Sequence, residues 1–259
     1  MNPAGPRRNI KLVIAYHGAA YHGWQRQAEG IDTVQQRVEE AAASVLRHKV
    51  VVFGAGRTDA GVHAEGQVAN LYTPNLSVPL RGLRRAMNSR LPRDIAVVSA
   101  AEVPEGFHAS RSAIGKTYRY RVHVSPVRPA ALAGQVYHYW RTLDVEAMRR
   151  AGRRLLGTHD FLGFATSAEQ REDTVRTVFR CDVAADGEAV LATVQGDGFL
   201  YNMVRNIAGT LIEIGRGRWG SERIDLILET RDRREGGPTA PAEGLTLVCV
   251  HYRDEDLRL

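Results

Sequence analysis

The sequence predicts an α+β protein made of two ferredoxin-like (RNP-like) units, each with the element order β-α-β-β-α-β. Two observations lead to this fold class. Segments that alternate apolar and polar residues are interleaved with segments of helical spacing, and the same order of segments occurs twice in the 259 residues. We therefore expect a mainly antiparallel sheet with helices on one face and a central basic cleft. The expected domains are residues 1–106 and 107–259.

The first half contains four candidate strands and two candidate helices. Alternation and β-branched residues predict strands over residues 9–18, 50–53, 67–73 and 95–101. The first helix begins after Thr33, because the apolar residues that follow lie on one helical face and Asp32 or Thr33 can cap it. The second helix opens with Ser77 and Pro79 and runs to about Arg90, since proline is favoured in the first helical turn.

The second half repeats this order of elements. Its predicted strands cover residues 118–124, 174–184, 189–195 and 245–252. The two middle strands form a hairpin, because Asp186 and Gly187 are a favourable turn pair. Helical spacing predicts helices over residues 144–156 and 201–215 and a short additional helix over residues 221–230.

The composition is that of a globular protein with a basic surface. The net charge of +6 comes mainly from arginine, whose planar group of donors suits phosphate oxygens. Charge alone does not separate a nucleic-acid-binding protein from the many mildly basic ones. No apolar run approaches the roughly 20 residues that span a bilayer, and no apolar stretch follows the N-terminal charges, so we expect a cytoplasmic protein without a membrane partner. The nine histidines and two cysteines are scattered, which predicts no metal site.

Residues 53–66 have the most unusual sequence in the chain, FGAGRTDAGVHAEG. Its four glycines permit positive φ and close backbone approach. Such a loop presents Asp59 beside the guanidinium of Arg57, and we expect that pairing to hold the carboxylate ionised, as a nucleophile or a partner for a cation requires. The plainer interpretation is that Asp59 only accepts from a neighbouring N–H. A dinucleotide-binding loop is disfavoured, because residues 67–73 are predicted as a strand where that motif needs a helix.

The nine residues GRTDAGVHA, from Gly56 to Ala64, closely resemble the signature of the TruA family of pseudouridine synthases. Seven further blocks resemble the family in the family's order, so the resemblance covers nearly the whole chain. These blocks are YHGWQRQ, TVQQRVEEA, FHA, KTYRYRV, GTHDFLGF, FLYNMVRNIAGTLIEIGRGRW and AEGLTLVCV. The resemblance implies an enzyme that converts uridine to pseudouridine at positions 38, 39 and 40 of the tRNA anticodon arm. It further implies a homodimer and a reaction without metal or any other cofactor.

The resemblance also implies roles for five residues. Asp59 is the catalytic carboxylate, attacking either C1′ of the ribose or C6 of the uracil, and the target base is flipped out of its stack. Arg57 holds the flipped-out arrangement and contacts phosphate, and Tyr118 stacks on the uracil and can take the C5 proton. Arg205 pairs with the aspartate, and Leu245 packs beside the base. We therefore expect the site in the cleft between the two halves.

Spacing alone gives these residues plainer roles. Tyr118 would be an ordinary strand residue, Arg205 a solvated one and Leu245 part of the core. Trp24, with Gln25 and Arg26, is a candidate for the RNA cleft or, alternatively, a buried anchor. Six further arginines form either a phosphate-contacting stretch or a solvated helix face: Arg7, Arg8, Arg81, Arg84, Arg85 and Arg90.

One departure from the family pattern occurs at Ser110 and Arg111, where FHASRSA stands in place of the common FHARFSA. The arginine is displaced by one place, which would reverse its side on a strand but not necessarily in a loop. His63 lies within the signature, and we assign it no acid–base role.

Two other functions remain open from the sequence. The first is a non-catalytic protein that binds RNA or assists its folding, although such a protein would not need Asp59, Tyr118 and Arg205 together. The second is a synthase with other RNA targets.

Overall fold

The structure, a computed structural model, describes residues 7–166, 172–253 and 255. The first six residues, at the N-terminus for which the sequence predicts no signal peptide, lie outside the described part. The described residues contain ten strands and five α-helices. They divide into two compact units. The first ends at Ala113 and also includes Leu247–Tyr252, and the second begins at Ile114 and runs to Thr246.

The first unit is a small sheet with two helices. Strand β1 (Arg8–Tyr16) lies between β3 (His63–Thr73) and β4 (Ile95–Val103) and is antiparallel to both. The short strand β2 (Val52–Gly54) also pairs with β3. Alternate β1 side chains, those of Ile10, Leu12 and Ile14, are buried and form part of the core. The helices are α1 (Val34–Leu46) and α2 (Leu80–Asn88).

The second unit is also a sheet with helices. Its strands β5 (Gly115–Val124), β9 (Ala189–Gly196), β8 (Val175–Asp186) and β7 (Gly157–Asp160) lie in that order, and each neighbouring pair is antiparallel. A three-residue strand, β6 (Tyr137–Tyr139), pairs with β5 in parallel. The helices are α3 (Val145–Arg153), α4 (Met203–Gly215) and α5 (Arg223–Thr230).

The last strand, β10 (Leu245–His251), belongs mostly to the first unit, where it lies next to β3. The backbones approach closely there, since a Cβ on Gly66 would overlap the carbonyl oxygen of Val248. The order of elements in the sequence predicts this strand as the last of the second unit. Its position in the first unit depends on the long-range pairing of β10 with β3 rather than on sequence order.

The predicted fold class is confirmed at the level of a mixed α+β protein with mainly antiparallel strands. Thr33 caps α1 as predicted, because its side chain accepts from the N–H of Gln36. The hairpin turn differs by one place, since Asp186 pairs with Ala189 and Gly187 takes a φ of 56°. None of the helices in the described ranges has the length and apolar character needed to cross a bilayer.

Candidate active site

Asp59 lies in the loop that connects β2 to β3, and it is half-buried. The preceding residue, Thr58, is buried, and its hydroxyl is hydrogen-bonded to the hydroxyl of Tyr16 at 2.7 Å. Burial raises the pKa of Tyr16 above its usual value, so the phenol stays protonated. On the other side of the aspartate, the N–H of Val62 donates to the Asp59 carbonyl at 3.1 Å. The backbone on both sides of the carboxylate is therefore fixed within the first unit.

Two glycines outside the signature let a second segment pack directly against this loop. Gly23 has a φ of 91°, and a Cβ there would lie 2.6 Å from the Thr58 carbonyl oxygen. A Cβ on Gly18 would overlap the carbonyl oxygen of Val62. The next residue after Gly23, Trp24, donates its backbone N–H to the Thr58 carbonyl at 3.0 Å. We did not identify this contact from the sequence, although the closely spaced glycines of HGAAYHG were a signal for it.

His63 stabilises the same contact. It is buried, and its Nδ1 accepts a hydrogen bond of 3.0 Å from the N–H of Gly18. Because Nδ1 is the acceptor, the neutral ring carries its proton on Nε2. The His63 ring lies 4.6 Å from the ring of His17. His63 therefore supports the loop through the backbone of Gly18.

Arg57 does not form the expected ion pair with Asp59. Its side chain is exposed, and in the described part of the chain no carboxylate lies within ion-pair distance of it. The physical reason is the residue between them. Thr58 is held inward by Tyr16, so the loop turns there and the Arg57 side chain points into solvent. An exposed guanidinium is available to a phosphate, but it does not hold the Asp59 carboxylate.

Tyr118 is on β5 of the second unit, opposite Val194 of β9. Only 8% of its surface is exposed, and its ring meets the ring of Phe199 edge-on, with 5.3 Å between the ring centroids. Edge-to-face packing fixes the plane of an aromatic ring. Phe199 is thus part of the candidate site, although reasoning from the sequence assigns it no separate role.

Arg205 is in the first turn of α4, and it is the one residue of that helix that is not buried. Its Nε donates to the carbonyl oxygen of Ala240 at 2.8 Å, and its Nη1 donates to Oδ1 of Asn202 at 2.9 Å. Asn202 precedes the helix in the left-handed conformation, with a φ of 59°. The guanidinium is therefore oriented by two oxygen atoms, one of them 35 residues later in the chain.

The segment that carries Ala240 is itself fixed against α4. The buried amide oxygen of Asn206 accepts from the hydroxyl of Thr239 at 2.7 Å. The N–H of Gly237 donates to the hydroxyl of Thr210 at 3.0 Å. A Cβ on Gly209 would overlap the carbonyl oxygen of Pro238. Helix and segment consequently form one tightly packed support for Arg205.

Leu245 is buried at the start of β10. The turn before it, Ala242–Gly244, is held against β5 by Tyr120, whose hydroxyl donates to the Pro241 carbonyl at 2.8 Å. A Cβ on Gly244 would lie 2.6 Å from the Tyr120 ring, so the turn needs glycine. Asp59 and Arg57 are thus held in the first unit, and Tyr118, Arg205 and Leu245 in the second.

Comparison with known proteins identifies the family. The model of a tRNA pseudouridine synthase family matches residues 12–110 and 151–253. The chain belongs to this family. It is therefore a tRNA pseudouridine synthase, an isomerase, and the resemblance to the TruA family is confirmed.

Three relatives show how complete the match is, and each is named "tRNA pseudouridine synthase A". The protein of Acetivibrio thermocellus is 45% identical over 95% of this chain and 100% of its own length. That of Syntrophotalea carbinolica is 45% identical over 95% of this chain and 97% of its own length. That of Pseudomonas aeruginosa is 43% identical over 95% of this chain and 86% of its own length.

The residues that the sequence offered as further candidates for RNA contact mostly make contacts within the protein. Trp24 is 1% exposed, so the interpretation as a buried anchor is correct. Arg26 forms a 2.6 Å ion pair with the buried Glu39. Ser110 and Arg111 are exposed and lie in a turn rather than a strand, because the N–H of Ser112 donates to the His108 carbonyl. The displaced arginine is therefore not reversed in direction by strand geometry.

The six arginines of the basic stretch differ in their partners. Arg7 and Arg8 pair with Glu105 and Glu102. Arg84 donates to the Val98 carbonyl, and Arg90 donates to the Ala86 carbonyl. Arg81 and Arg85 are exposed on α2. Within the described ranges, no group of three or more histidine, cysteine or acidic side chains is arranged to hold a metal ion.

Proposed function

We propose that this synthase isomerises uridine at positions 38, 39 and 40 of the tRNA anticodon arm, with Asp59 as the nucleophile. The observation that carries the proposal is the loop of Asp59. A half-buried carboxylate lies on a backbone fixed by Thr58 on one side and by Val62 on the other. Relatives at 40–45% identity are named for pseudouridine synthesis on tRNA.

The reaction changes only the bond between the base and the ribose. The uracil leaves C1′ through N1, rotates, and rejoins C1′ through C5, which gives up its proton while N1 gains one. Asp59 forms a covalent bond either to C1′ of the ribose or to C6 of the uracil, and that bond breaks again before release. A stacked base offers neither atom, so the uridine is flipped out of the RNA.

The other four residues serve the flipped uridine. Tyr118, whose ring plane is fixed by Phe199, stacks on the uracil and takes the C5 proton. Arg205, oriented by Ala240 and Asn202, pairs with the nucleophilic carboxylate. Leu245 packs beside the base, and the exposed guanidinium of Arg57 binds phosphate.

We also propose the finer architecture that the resemblance implies, namely two ferredoxin-like domains in a cytoplasmic homodimer. The strand orders support the first part. In the first unit, the first, third and second strands lie side by side as β1-β3-β2. In the second unit the same order holds as β5-β9-β8 when the short strands β6 and β7 are set aside. Light scattering on the purified protein measures the mass of the assembly and would contradict the homodimer by giving a monomer.

Mapping of pseudouridine on unmodified tRNA transcripts tests the function. We expect modification at positions 38 to 40 with the wild-type protein, and none with Asp59→Asn, which keeps its fold and its affinity for tRNA. A matched control is Asp186→Asn, an exposed aspartate at the hairpin turn, which retains activity. Residual turnover by Asp59→Asn rules out the nucleophile, and tight binding without modification by the wild type favours a binding protein or another target.

The affinity for tRNA is expected to fall steeply with salt. Each phosphate neutralised by an arginine releases counterions, which contributes a slope of about −0.7 to −0.9 in log K against log salt. Filter binding with Asp59→Asn between low and moderate salt measures this slope. An affinity that does not change with salt contradicts phosphate binding by arginine.

A further inference from the structure

Phe53 lies on the outer face of the first unit's sheet and is 38% exposed. In β2 its neighbour Val52 is buried opposite Leu71, whereas Phe53 lies opposite Asn70 and points to the other face. Its ring centroid is 5.4 Å from that of His108 and 6.3 Å from that of Tyr72. We call these three rings, Phe53, Tyr72 and His108, the aromatic cluster.

The two supporting rings of the aromatic cluster are held in fixed positions. The hydroxyl of Tyr72 donates to the carbonyl oxygen of Glu105 at 3.1 Å, and the guanidinium of Arg7 lies over its ring at 4.4 Å. The Nδ1 of His108 accepts from the N–H of Ser110 at 3.2 Å. Desolvation, aided by the charge of Arg111, lowers the pKa of His108, so the ring is neutral near pH 7. A rigid aromatic surface loses little conformational entropy when a ligand binds.

Two exposed arginines lie close to the aromatic cluster in the chain. Ala55 and Ala109 pack in one small buried cluster, and each is followed two residues later by an arginine, Arg57 and Arg111. Both side chains are exposed, and among the described residues neither has an ion-pair partner. Aromatic rings beside free guanidinium groups are the combination that binds single-stranded nucleic acid, because bases stack and phosphates are neutralised.

We infer that Phe53 stacks on an unpaired base of the tRNA, a nucleotide other than the target uridine, while Arg57 and Arg111 bind its flanking phosphates. This inference rests on the proposed function. Phe53 precedes Asp59 by six residues, which limits their separation to about 20 Å, the length of a few nucleotides. Flipping of the target interrupts the stack on both sides, so a neighbouring base becomes available to an external ring.

The test compares substitutions of Phe53 in the Asp59→Asn background, so that tRNA is bound without being modified. We expect Phe53→Ala and Phe53→Leu to weaken binding of an unmodified tRNA transcript about tenfold, because neither side chain has a π-face. Phe53→Tyr keeps the affinity. The matched control is Phe179→Ala, which removes a 42% exposed ring on β8 in the second unit and leaves binding unchanged.

A second measurement reports stacking directly. Transcripts carrying 2-aminopurine at single positions in the anticodon loop lose fluorescence when the base stacks on an aromatic ring. We expect one position to be quenched by the parent and by Phe53→Tyr, which both carry an aromatic ring there, and not by Phe53→Leu. Thermal unfolding of each variant confirms that the fold is kept.

The outcomes separate this inference from the proposed function. The stacking site is overturned if the parent, which carries Asp59→Asn alone, and the variant that also carries Phe53→Leu bind tRNA equally and quench fluorescence equally. It is also overturned if the parent does not bind tRNA. A wild-type protein that forms no pseudouridine, together with Phe53 variants that lose binding, overturns the proposed reaction and keeps the stacking site. Pseudouridine formation without any effect of Phe53→Leu keeps the reaction and removes the stacking site.

Discussion

The loop of Asp59 and the start of α4 hold their key side chains in different ways. The loop is supported mainly by its backbone atoms, which approach Gly18 and Gly23 at distances that exclude a Cβ. Side-chain hydrogen bonds of Thr58 to Tyr16 and of His63 to the Gly18 N–H add to this support. The guanidinium of Arg205 is instead supported through its own nitrogen atoms by two oxygen acceptors. The first arrangement fixes a backbone, and the second fixes a side chain.

This difference predicts which changes each region tolerates. A loop fixed through its backbone depends on small residues in the partner segment and little on the side chains that the loop itself exposes. A side chain fixed by acceptors depends on the position of those acceptors, which α4 and the segment around Pro238 set together. Damage to the loop should therefore reduce turnover more than stability, whereas damage to the α4 support should reduce stability first.

The largest expected effect is that of Gly209→Ala. The new Cβ would overlap the Pro238 carbonyl oxygen, and the segment that carries this oxygen is held against the buried helix α4 by the hydrogen bonds of Gly237 and Thr239, so the free energy of unfolding falls by about 3 kcal/mol. Gly18→Ala makes a similar overlap with the Val62 carbonyl oxygen, but Gly18 lies in a three-residue 3₁₀ turn whose other residues, Ala19 and Ala20, are exposed, so a small displacement of this turn and the loop relieves the overlap. We expect this variant to lose about 1 kcal/mol of stability and about a hundredfold in kcat, since a displacement of about 1 Å is enough for that.

Denaturant unfolding and pseudouridine kinetics measure both variants. Gly106→Ala is the control, because a Cβ at this position meets no atom within 4 Å. The contrast between the support of the Asp59 loop and the support of Arg205 would be wrong in either of two cases. In the first, Gly18→Ala is less stable than Gly209→Ala. In the second, Gly209→Ala keeps its stability and loses activity.

The next effect concerns the hydroxyl pair beneath Asp59. Thr58→Val removes the hydroxyl that bonds to Tyr16. We expect a stability loss of about 1 kcal/mol and a kcat about tenfold lower at unchanged KM, because the backbone next to the nucleophile loosens. Thr58→Ser restores both values, since it keeps the hydroxyl. A fall in kcat with Thr58→Ser equal to that with Thr58→Val would show that the methyl group, not the hydroxyl, supports the loop.

The elements that could be predicted from the sequence are those in which a regular spacing of apolar residues continues over many consecutive positions. Strand β1 alternates over nine residues, and α1 has both a helical face and a cap at Thr33. Strands β6 and β7 have only three and four residues, too few for alternation to show. Strand β3 begins at His63, four residues before the prediction, because Ala64 pairs with Tyr16 of β1 although its neighbours have the composition of a loop.

The candidate site was predictable to the extent that its signals were local. The glycine-rich signature indicated the Asp59 loop, and the family blocks indicated Tyr118, Arg205 and Leu245. Local reasoning failed for Arg57, since adjacency in sequence does not set the direction of a side chain when Thr58 is held inward between them. The Ala240 carbonyl that orients Arg205 has no sequence signal, because a backbone acceptor carries no residue identity.

The smallest effect is expected at Asn202, whose side chain supplies an acceptor for Arg205. Asn202→Gly removes that acceptor and keeps the left-handed backbone, which glycine adopts without strain at a φ of 59°. Loss of one net hydrogen bond of about 1 kcal/mol corresponds to about a fivefold lower kcat, with the Ala240 contact still in place. Single-turnover kinetics measure the chemical step. A reduction as large as that of Arg205→Ala would mean that the guanidinium depends wholly on Asn202, and an unchanged rate would mean that Asn202 is not needed to orient it.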